Sequence, residues 1–230
     1  MFIVEGSRNT IDFIQSKLKI IEIFATEEWI DQHSSKLASI NNTIVSVKEM
    51  KKISALTNPS DVLAIFQLPE QPQEISINAK TLSLALDDIH DPGNLGTIIR
   101  TADWFGINTI YCSNNTVDTF NPKVVQASMG SLSRVSVIYT DLKALLRSTP
   151  DDFLVFGAFL DGTPLNTIRP PQQGLVVIGS EAHGISDELA PLIDTRITIP
   201  LVKTENIGQP ESLNASIACA VICYALKISN

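Results

Sequence analysis

The chain has 230 residues, which is enough for one or two domains with a sizeable core. It carries 25 acidic and 17 basic residues, so its net charge is −8. Residues 1–70 contain seven basic and nine acidic side chains, and the remainder contains ten and sixteen. Because both parts are acidic, the composition argues against loose, non-specific nucleic-acid binding, and any polyanion has to be met by a local basic cluster.

The N-terminus and the three cysteines indicate the compartment. Glu5 directly follows the apolar residues 1–4, so we expect neither a signal peptide nor a membrane-spanning segment. Cys112, Cys219 and Cys223 are odd in number and form no C-x-x-C pair, which favours packing roles over disulfides or metal binding. We therefore expect a reduced, intracellular protein of the cytoplasm.

Residues 1–70 predict a small α/β unit in which short apolar strands alternate with helices. The strands are expected at 2–4, 20–25, 43–47 and 61–67, and the helices at 9–18, 27–37 and 48–56. Pro69 and Pro72 then mark a linker that is poor in large apolar side chains. This places a domain boundary near residue 75 and divides the chain into 1–75 and 76–230.

After the linker, hydrophobic strands alternate with helices, which predicts an α/β fold with a mostly parallel sheet covered on both faces. The strands are expected at 82–86, 109–112, 135–139, 154–159, 175–178 and 197–200, and the helices at 94–105 and 122–129. A last helix should begin near Ser212, with Ser212 as its cap. Almost no charge occurs between Leu213 and Lys227, so we expect this helix to be buried on every side.

Three loops, 87–94, 179–185 and 201–214, follow strand ends. Ligands of open α/β sheets bind at the carboxyl ends of strands, so these loops are candidates for one site. In the helix after the first loop, Arg100 points away from the apolar stripe and is free for other use. Neither G-x-G-x-x-G nor G-x-S-x-G occurs, which argues against a dinucleotide site and a hydrolase nucleophile elbow.

The histidines do not indicate a metal site. His33, His90 and His183 never occur at the spacing of metal ligands, so no metal is expected. His90 and His183 lie in two of the three loops, and we interpret them as loop histidines that are hydrogen-bonded for structural reasons.

Three motifs in these loops carry a family resemblance. They are Asn94-x5-Arg100, Gly179-Ser180-Glu181-x-x-Gly184, and Ile199-Pro200 followed by Ser212-Leu213-Asn214. Over residues 82–226 they resemble, in order, the three motifs of the SpoU (TrmH-like) family of RNA ribose 2′-O-methyltransferases, in the SPOUT trefoil-knot superfamily. The segment Phe2-Ile3-Val4-Glu5-Gly6 is similar to the ribosomal-protein-L30e-like substrate-binding domain that precedes many such enzymes.

The resemblance implies an α/β knot, a parallel sheet whose C-terminal segment threads a loop, preceded by the small α/β domain. It also implies a homodimer that completes each active site across its interface and uses S-adenosyl-L-methionine to methylate rRNA or tRNA. The residues that it places at the reaction are Arg100, Asn94, Glu181, Ser212 and Asn214. Those that it places around the cofactor are Gly179, Ile199 and Leu213, with Ile178, Ser180 and Pro200 beside them.

Arg100 is the residue that the family places beside the attacking 2′-hydroxyl. The pKa of a guanidinium lies above ~12, so Arg100 stays protonated, and a bidentate grip on the adjacent phosphate is physically easier than action as a base. A proton-accepting role needs a strongly perturbed site or help from that phosphate. The alternative is a purely structural role, in which Arg100 forms an ion pair on the helix surface.

Two other functional interpretations stay open: a non-catalytic RNA-binding adaptor that kept the fold, and a nucleotide-dependent α/β enzyme of another kind. The candidates for a basic edge that binds RNA are Lys123, Ser128 and Arg134, with Lys17, Lys19, Lys51 and Lys52 as a second group. Compared with the family, we expect an extra basic helix ahead of Met1 to be missing. The loop at 201–210 is longer than usual, which suggests a lid or an altered choice of substrate.

Overall fold

The computed structural model describes residues 1–38, 40–72, 74–77, 79–202 and 211–228, which form two β-sheets with helices packed against them. The strands are β1 (Phe2–Glu5), β2 (Ile20–Ala25), β3 (Asn42–Ile44), β4 (Val62–Phe66), β5 (Leu82–Asp87), β6 (Thr109–Cys112), β7 (Ser136–Tyr139), β8 (Val155–Pro164), β9 (Gly174–Gly179) and β10 (Thr195–Thr198). The α-helices are α1 (Ser7–Ile14), α2 (Glu27–Leu37), α3 (Val47–Ile53), α4 (Pro92–Trp104), α5 (Pro122–Ala127), α6 (Leu142–Arg147) and α7 (Ala215–Ile228).

The N-terminal sheet has four strands in the order β1-β4-β2-β3. Strand β4 pairs antiparallel with β1 and β2, and β3 pairs parallel with β2. The prediction of a small α/β unit is therefore confirmed, although α1 ends at Ile14 and not at Leu18. The helix stops there because Ser16 Oγ donates to the Phe13 carbonyl at 2.7 Å and accepts the Leu18 N–H at 3.1 Å, which closes a turn.

The second sheet has six strands in the order β10-β8-β9-β5-β6-β7, and all its pairings are parallel. Its central strands β5 and β9 are buried along nearly their whole length, as expected for a sheet covered on both faces. The sequence pattern misses α6, a helix of six residues. A local signal does mark its start: the Asp141 carboxylate accepts the N–H groups of Lys143 and Ala144.

The two sheets share one continuous hydrophobic core. On β1, Phe2 stacks on Phe66 of its own sheet and also packs against Phe120 of the second unit, with ring centroids 4.5 Å apart. The linker is packed as well, since Ile75 and Ile77 lie against a second apolar cluster under the parallel sheet. The chain therefore has two sheets but not two independent cores, and the boundary near residue 75 stays a prediction.

Helices α4 and α5 touch at Gly96. A Cβ atom added there would lie 2.5 Å from Ala127 Cβ and 2.8 Å from the Val124 carbonyl oxygen, so only glycine leaves enough room. Because α4 carries Asn94 and Arg100, this contact fixes the helix that bears two of the predicted site residues.

Helix α7 is not buried on every side. Ile217, Val221, Tyr224 and Ile228 lie on one face of α7 and are between 38% and 58% exposed; we call them the α7 stripe. The prediction of complete burial is wrong for the single chain, because an apolar sequence does not show which partner covers each face. Among the described residues, no helix is both long enough and apolar enough to cross a membrane.

Replacing Gly96 with alanine tests the contact between α4 and α5. We expect Gly96→Ala to lower the free energy of unfolding by about 1–3 kcal/mol, because the new methyl group overlaps Ala127 and the α5 backbone. Urea unfolding followed by circular dichroism measures this change. The control is Thr97→Ala on the exposed side of the same helix, which should change stability by less than about 0.5 kcal/mol. Equal stabilities of the two variants would contradict the close contact.

Candidate active site

The side chain of Asn94 connects the three loops that follow strand ends. Asn94 lies in the first turn of α4, where Asp91 caps the helix by accepting the Asn94 backbone N–H at 2.8 Å. Its Nδ2–H donates to Glu181 Oε1, and its Oδ1 accepts the Nδ2–H of Asn214 at 2.9 Å. These partners lie 87 and 120 positions away along the chain. The expected convergence of the three loops is therefore observed.

A tight turn after β9 presents Glu181. At Gly179, which ends β9, an added Cβ would lie 2.0 Å from the Gly184 carbonyl carbon, so the backbones approach too closely for any side chain. Ser180 and Gly184 exchange two backbone hydrogen bonds of 3.1 and 2.9 Å, and Gly184 has the positive φ of 68° that glycine adopts easily. The backbone contacts of these two glycines therefore close the turn and leave the Glu181 side chain exposed at its tip.

Asp87 is a positioning residue that the sequence pattern does not reveal. It ends β5 beside Gly179 of β9 and is only 7% exposed. Its Oδ2 accepts the backbone N–H of Ser186 at 2.8 Å, so the carboxylate anchors the far end of the turn that carries Glu181. The available signal is an acidic residue that directly ends an apolar strand, but the strand predicted at 82–86 leaves Asp87 in the loop.

Asn214 also caps α7. Its Oδ1 accepts the N–H groups of Ser216 at 3.0 Å and Ile217 at 3.3 Å, which satisfies two of the donors left free at a helix start. The helix therefore begins at Ala215, and the prediction of Ser212 as its cap is wrong. Ser212 lies in the exposed segment before the helix. One side chain thus fixes both the start of α7 and the orientation of Asn94.

Arg100 lies on the exposed face of α4, six residues after Asn94. Within the described part of the chain, no hydrogen bond or ion pair engages its side chain. The alternative of a surface ion pair is therefore not observed there. An arginine that is held on a rigid helix without an acidic partner can bind an incoming anion such as a phosphate.

The residues expected around a cofactor differ in exposure. Leu213 is 46% exposed, and Pro200 is exposed at the end of the segment after β10. Gly179 is partly exposed, and Ile199 is partly buried against the main core. The buried members of the set are Ile178 and Ser180. Most of the longer loop predicted as a lid, residues 203–210, lies outside the described residues.

The two loop histidines make local contacts. His90 Nε2 lies 2.9 Å from Asp88 Oδ1, in the loop between β5 and α4. His183 is exposed, and its backbone N–H donates to Ser180 Oγ at 3.3 Å within the tight turn. In the residues that the structure describes, no group of three or more His, Cys, Asp or Glu side chains could hold a metal ion.

The first predicted basic edge is not present. Ser128 is fully buried and donates to the Val125 carbonyl, and Arg134 is paired with two carboxylates. Lys123 alone of this predicted group is exposed without such a contact. The prediction is wrong because the sequence shows the charge of a side chain but not the partners that the fold brings to it. The lysines of the second group, all exposed, are Lys17, Lys19, Lys51 and Lys52.

Two substitutions of Asn214 separate its contacts. Asn214→Ala removes both the cap and the bond to Asn94, so we expect a loss of about 1 kcal/mol in the free energy of unfolding. Asn214→Asp keeps an acceptor for the cap but loses the N–H that Asn94 accepts. Its stability should stay within about 0.5 kcal/mol of the wild type in urea unfolding. If the alanine variant is as stable as the aspartate variant, the cap does not stabilise α7.

Comparison with known proteins identifies the family of this chain. Residues 81–224 match the SpoU rRNA Methylase family, and residues 1–64 match the MRM3-like substrate binding domain. The 23S rRNA (guanosine(2553)-2′-O)-methyltransferase RlmP of Bacillus subtilis is 27% identical over 98% of this chain and 88% of its own length.

Solved structures of similar proteins have the same fold. A TrmH-family protein from Porphyromonas gingivalis is 34% identical with a TM-score of 0.81, over 98% of this chain and 89% of that one. An AdoMet-bound rRNA methyltransferase from Sinorhizobium meliloti is 28% identical with a TM-score of 0.83, over 98% and 86% of the two chains. The motif order, the parallel sheet and these matches agree, and the chain belongs to the SpoU rRNA methylase family.

Proposed function

We propose that this chain is an S-adenosyl-L-methionine-dependent RNA methyltransferase that methylates a ribose 2′-hydroxyl in rRNA or tRNA. The observation that carries this proposal is the hydrogen-bonded set Glu181, Asn94 and Asn214, with Arg100 on the same helix as Asn94. Polar groups from three loops on rigid elements are what a site needs to orient a cofactor and a nucleotide together. The name of the Bacillus subtilis relative and the match to a substrate-binding domain support RNA as the substrate.

The strand-end edge beside this set suits the adenosine portion of the cofactor. Such a ligand needs backbone donors and acceptors and an apolar wall. Gly179 ends β9 without a side chain, and Leu213 presents apolar surface that is 46% exposed. We assign the binding of the cofactor to the set Gly179, Ile199 and Leu213, with Ile178, Ser180 and Pro200 beside them. When bound, the cofactor supplies a methyl group on a positively charged sulfur.

In this proposal Arg100 grips the phosphate next to the target ribose with two parallel N–H groups. It thereby holds the 2′-oxygen in line with the methyl carbon at ~3 Å, which removes most of the entropic cost of the encounter. The 2′-oxygen would take the methyl group as the methyl–sulfur bond breaks with its electron pair left on sulfur, which would leave a neutral thioether. The hydroxyl proton would go to the phosphate or to solvent, because a guanidinium stays protonated. Asn94, Glu181, Asn214 and Ser212 are assigned to the polar surroundings of this step.

The proposal includes a homodimer that is formed through the α7 stripe. A contiguous apolar face that one chain leaves exposed marks a site of association. Because α7 begins directly after Asn214, a partner that covers the stripe lies close to the candidate site, which agrees with the completion of the site across the interface that the family resemblance implies.

The proposal also includes a trefoil knot in the C-terminal segment and a location in the cytoplasm. Helix α7 packs against α4 and contacts β9, so the C-terminal segment returns to elements that precede it by more than 35 residues, as a threaded chain would. The cysteines Cys112, Cys219 and Cys223 are free and buried, which agrees with a reducing compartment.

Arg100→Ala tests the catalytic assignment. We expect methyl transfer to RNA to fall by at least about 100-fold, because the nucleotide is no longer held in line. The affinity for S-adenosyl-L-methionine, measured by calorimetric titration, should stay nearly unchanged. Arg147→Ala on the exposed surface of α6 is the matched control and should keep full activity. An active Arg100→Ala enzyme would remove the assignment, whereas a wild type that binds no cofactor would favour the adaptor.

Val221→Glu tests the dimer. The charge lies in the middle of the α7 stripe and would be buried without a partner in a dimer, so we expect the wild type at twice 25.1 kDa and this variant at the mass of one chain. Sedimentation equilibrium at micromolar concentration gives both masses. The control is Val47→Glu on α3, where the side chain is 60% exposed and no change of mass is expected. A wild type of single-chain mass would contradict the proposal.

A further inference from the structure

The segment from Phe120 to Arg134 lies between the N-terminal unit and α4 and contacts both; we call it the wedge. On one side, Phe120 packs on Phe2 of β1 with ring centroids 4.5 Å apart. On the other side, α5 within the wedge touches α4 at Gly96, where no side chain would fit. Continuous packing therefore joins the N-terminal unit to the helix that carries Arg100.

Arg134, the last residue of the wedge, bonds to one carboxylate from each side. Its Nη1 donates to Asp12 Oδ2 on α1 at 3.2 Å. Its Nε and Nη2 donate to Asp103 Oδ2 on α4 at 3.0 and 2.8 Å. The hydrogen bonds to Asp103 first, and then to Asp12, raise the pKa of the guanidinium above its ordinary value. Asp103 lies three residues after Arg100, so Arg134 links α1 to the catalytic helix itself.

Gly130 also lies directly beside the Asp12 carboxylate. Its φ of +87° is a conformation that favours glycine, and an added Cβ would lie 2.2 Å from Asp12 Oδ2. The Asp12 carboxylate is therefore seated directly against the wedge backbone. The missing side chain at Gly130 leaves the space in which the Asp12 carboxylate reaches Arg134, and the hydrogen bond between Asp12 and Arg134 favours one orientation of the N-terminal unit.

We infer that Arg134 is a positioning residue that fixes the N-terminal unit against α4, so that RNA captured by this unit presents its target ribose at a set distance from Arg100. The inference rests on the proposed function. It means that the wedge, and not the linker at 67–81, determines the distance between the RNA held by the N-terminal unit and Arg100. A unit that is merely tethered would behave differently, because linker length would then set its effective concentration.

We call the contact of Arg134 with Asp12 and Asp103 the clamp. Its exposure to solvent determines how strongly a substitution there should affect the protein. The Arg134 side chain is 47% exposed, and ion pairs of this exposure contribute little by themselves. The shared hydrophobic core, which includes the contact of Phe2 with Phe120, therefore holds the units together. The planar guanidinium fork of Arg134 adds directional contacts to both units. Breaking the clamp should loosen the orientation without separating the units.

A linker insertion tests the rigid arrangement without any RNA. A segment of four residues, alternating glycine and serine, is inserted after Gln71. This exposed position precedes the packed linker residues Ile75 and Ile77. Small-angle scattering should give the same radius of gyration for the insertion and the wild type, because the wedge holds the units together. A larger radius for the insertion would overturn the inference, whether or not the chain is an active methyltransferase.

Kinetic measurements then test the positioning. The probes are 23S rRNA transcribed in vitro and, as a second probe, tRNA transcripts, each with labelled S-adenosyl-L-methionine. We expect Arg134→Met and Asp12→Ala each to raise the KM for RNA three- to tenfold, with kcat within twofold and an unchanged Kd for the cofactor. The double variant should be no worse than either single variant, since both break the same contact. Arg134→Lys should recover only part of the loss, and the linker insertion should match the wild type.

The outcomes distinguish a failure of this inference from a failure of the proposed function. If Arg134→Met raises the KM but Asp12→Ala does not, Arg134 acts only within the catalytic unit and the inference is wrong. If kcat falls while the KM is unchanged, the clamp supports the site and not the capture of RNA, which also overturns it. A wild type that methylates neither probe contradicts the proposed function, and the scattering result then decides the rigid arrangement alone.

Discussion

One carboxamide, that of Asn94, holds the candidate site together. A carboxamide donates on one side and accepts on the other, and here the two sides engage Glu181 and Asn214 from loops far apart in the chain. This is possible only because the parallel sheet brings the carboxyl ends of β5 and β9 to the same edge. The neighbouring constraints serve the same geometry: Gly96 seats α4, and Asp87 anchors the turn that presents Glu181.

The sequence predicts the fold where burial leaves a periodic pattern. Strands β5 and β9 are covered on both faces and read as continuous apolar runs, and the buried side of α4 repeats at the helical period. The pattern fails where a single hydrogen bond decides the outcome. Ser16 ends α1 four residues early, and Asn214 caps α7 in place of Ser212, because neither contact is visible in hydrophobic periodicity.

The hydrogen-bonded set in the candidate site was predictable from the motifs of the family resemblance, whereas the residues that support this set were not. Asn94, Glu181 and Asn214 could be named from motif order, but Asp87 and Arg134 act through contacts with residues that the fold alone brings near. Arg134 shows the difficulty most clearly, since its partners lie 31 and 122 positions away. From the sequence alone, an arginine whose partner carboxylates are that distant cannot be distinguished from one that is free to bind RNA. The sequence likewise does not show what covers each face of α7, which explains why complete burial of this helix was predicted.

The charges of the chain explain why a rigid connection between its parts has consequences for RNA binding. The net charge is −8, and Arg134 is paired with two carboxylates, so the composition does not favour non-specific attraction of a polyanion. In the proposed function the attraction comes from separate cations, which are Arg100 on α4 and the exposed lysines of the N-terminal unit. A basic surface tolerates many registers of the phosphate backbone, but isolated cations tolerate only those registers that match their spacing. Under the proposed function, the distance between these cations therefore limits which RNA can contact all of them, and the inferred role of the wedge is to set that distance.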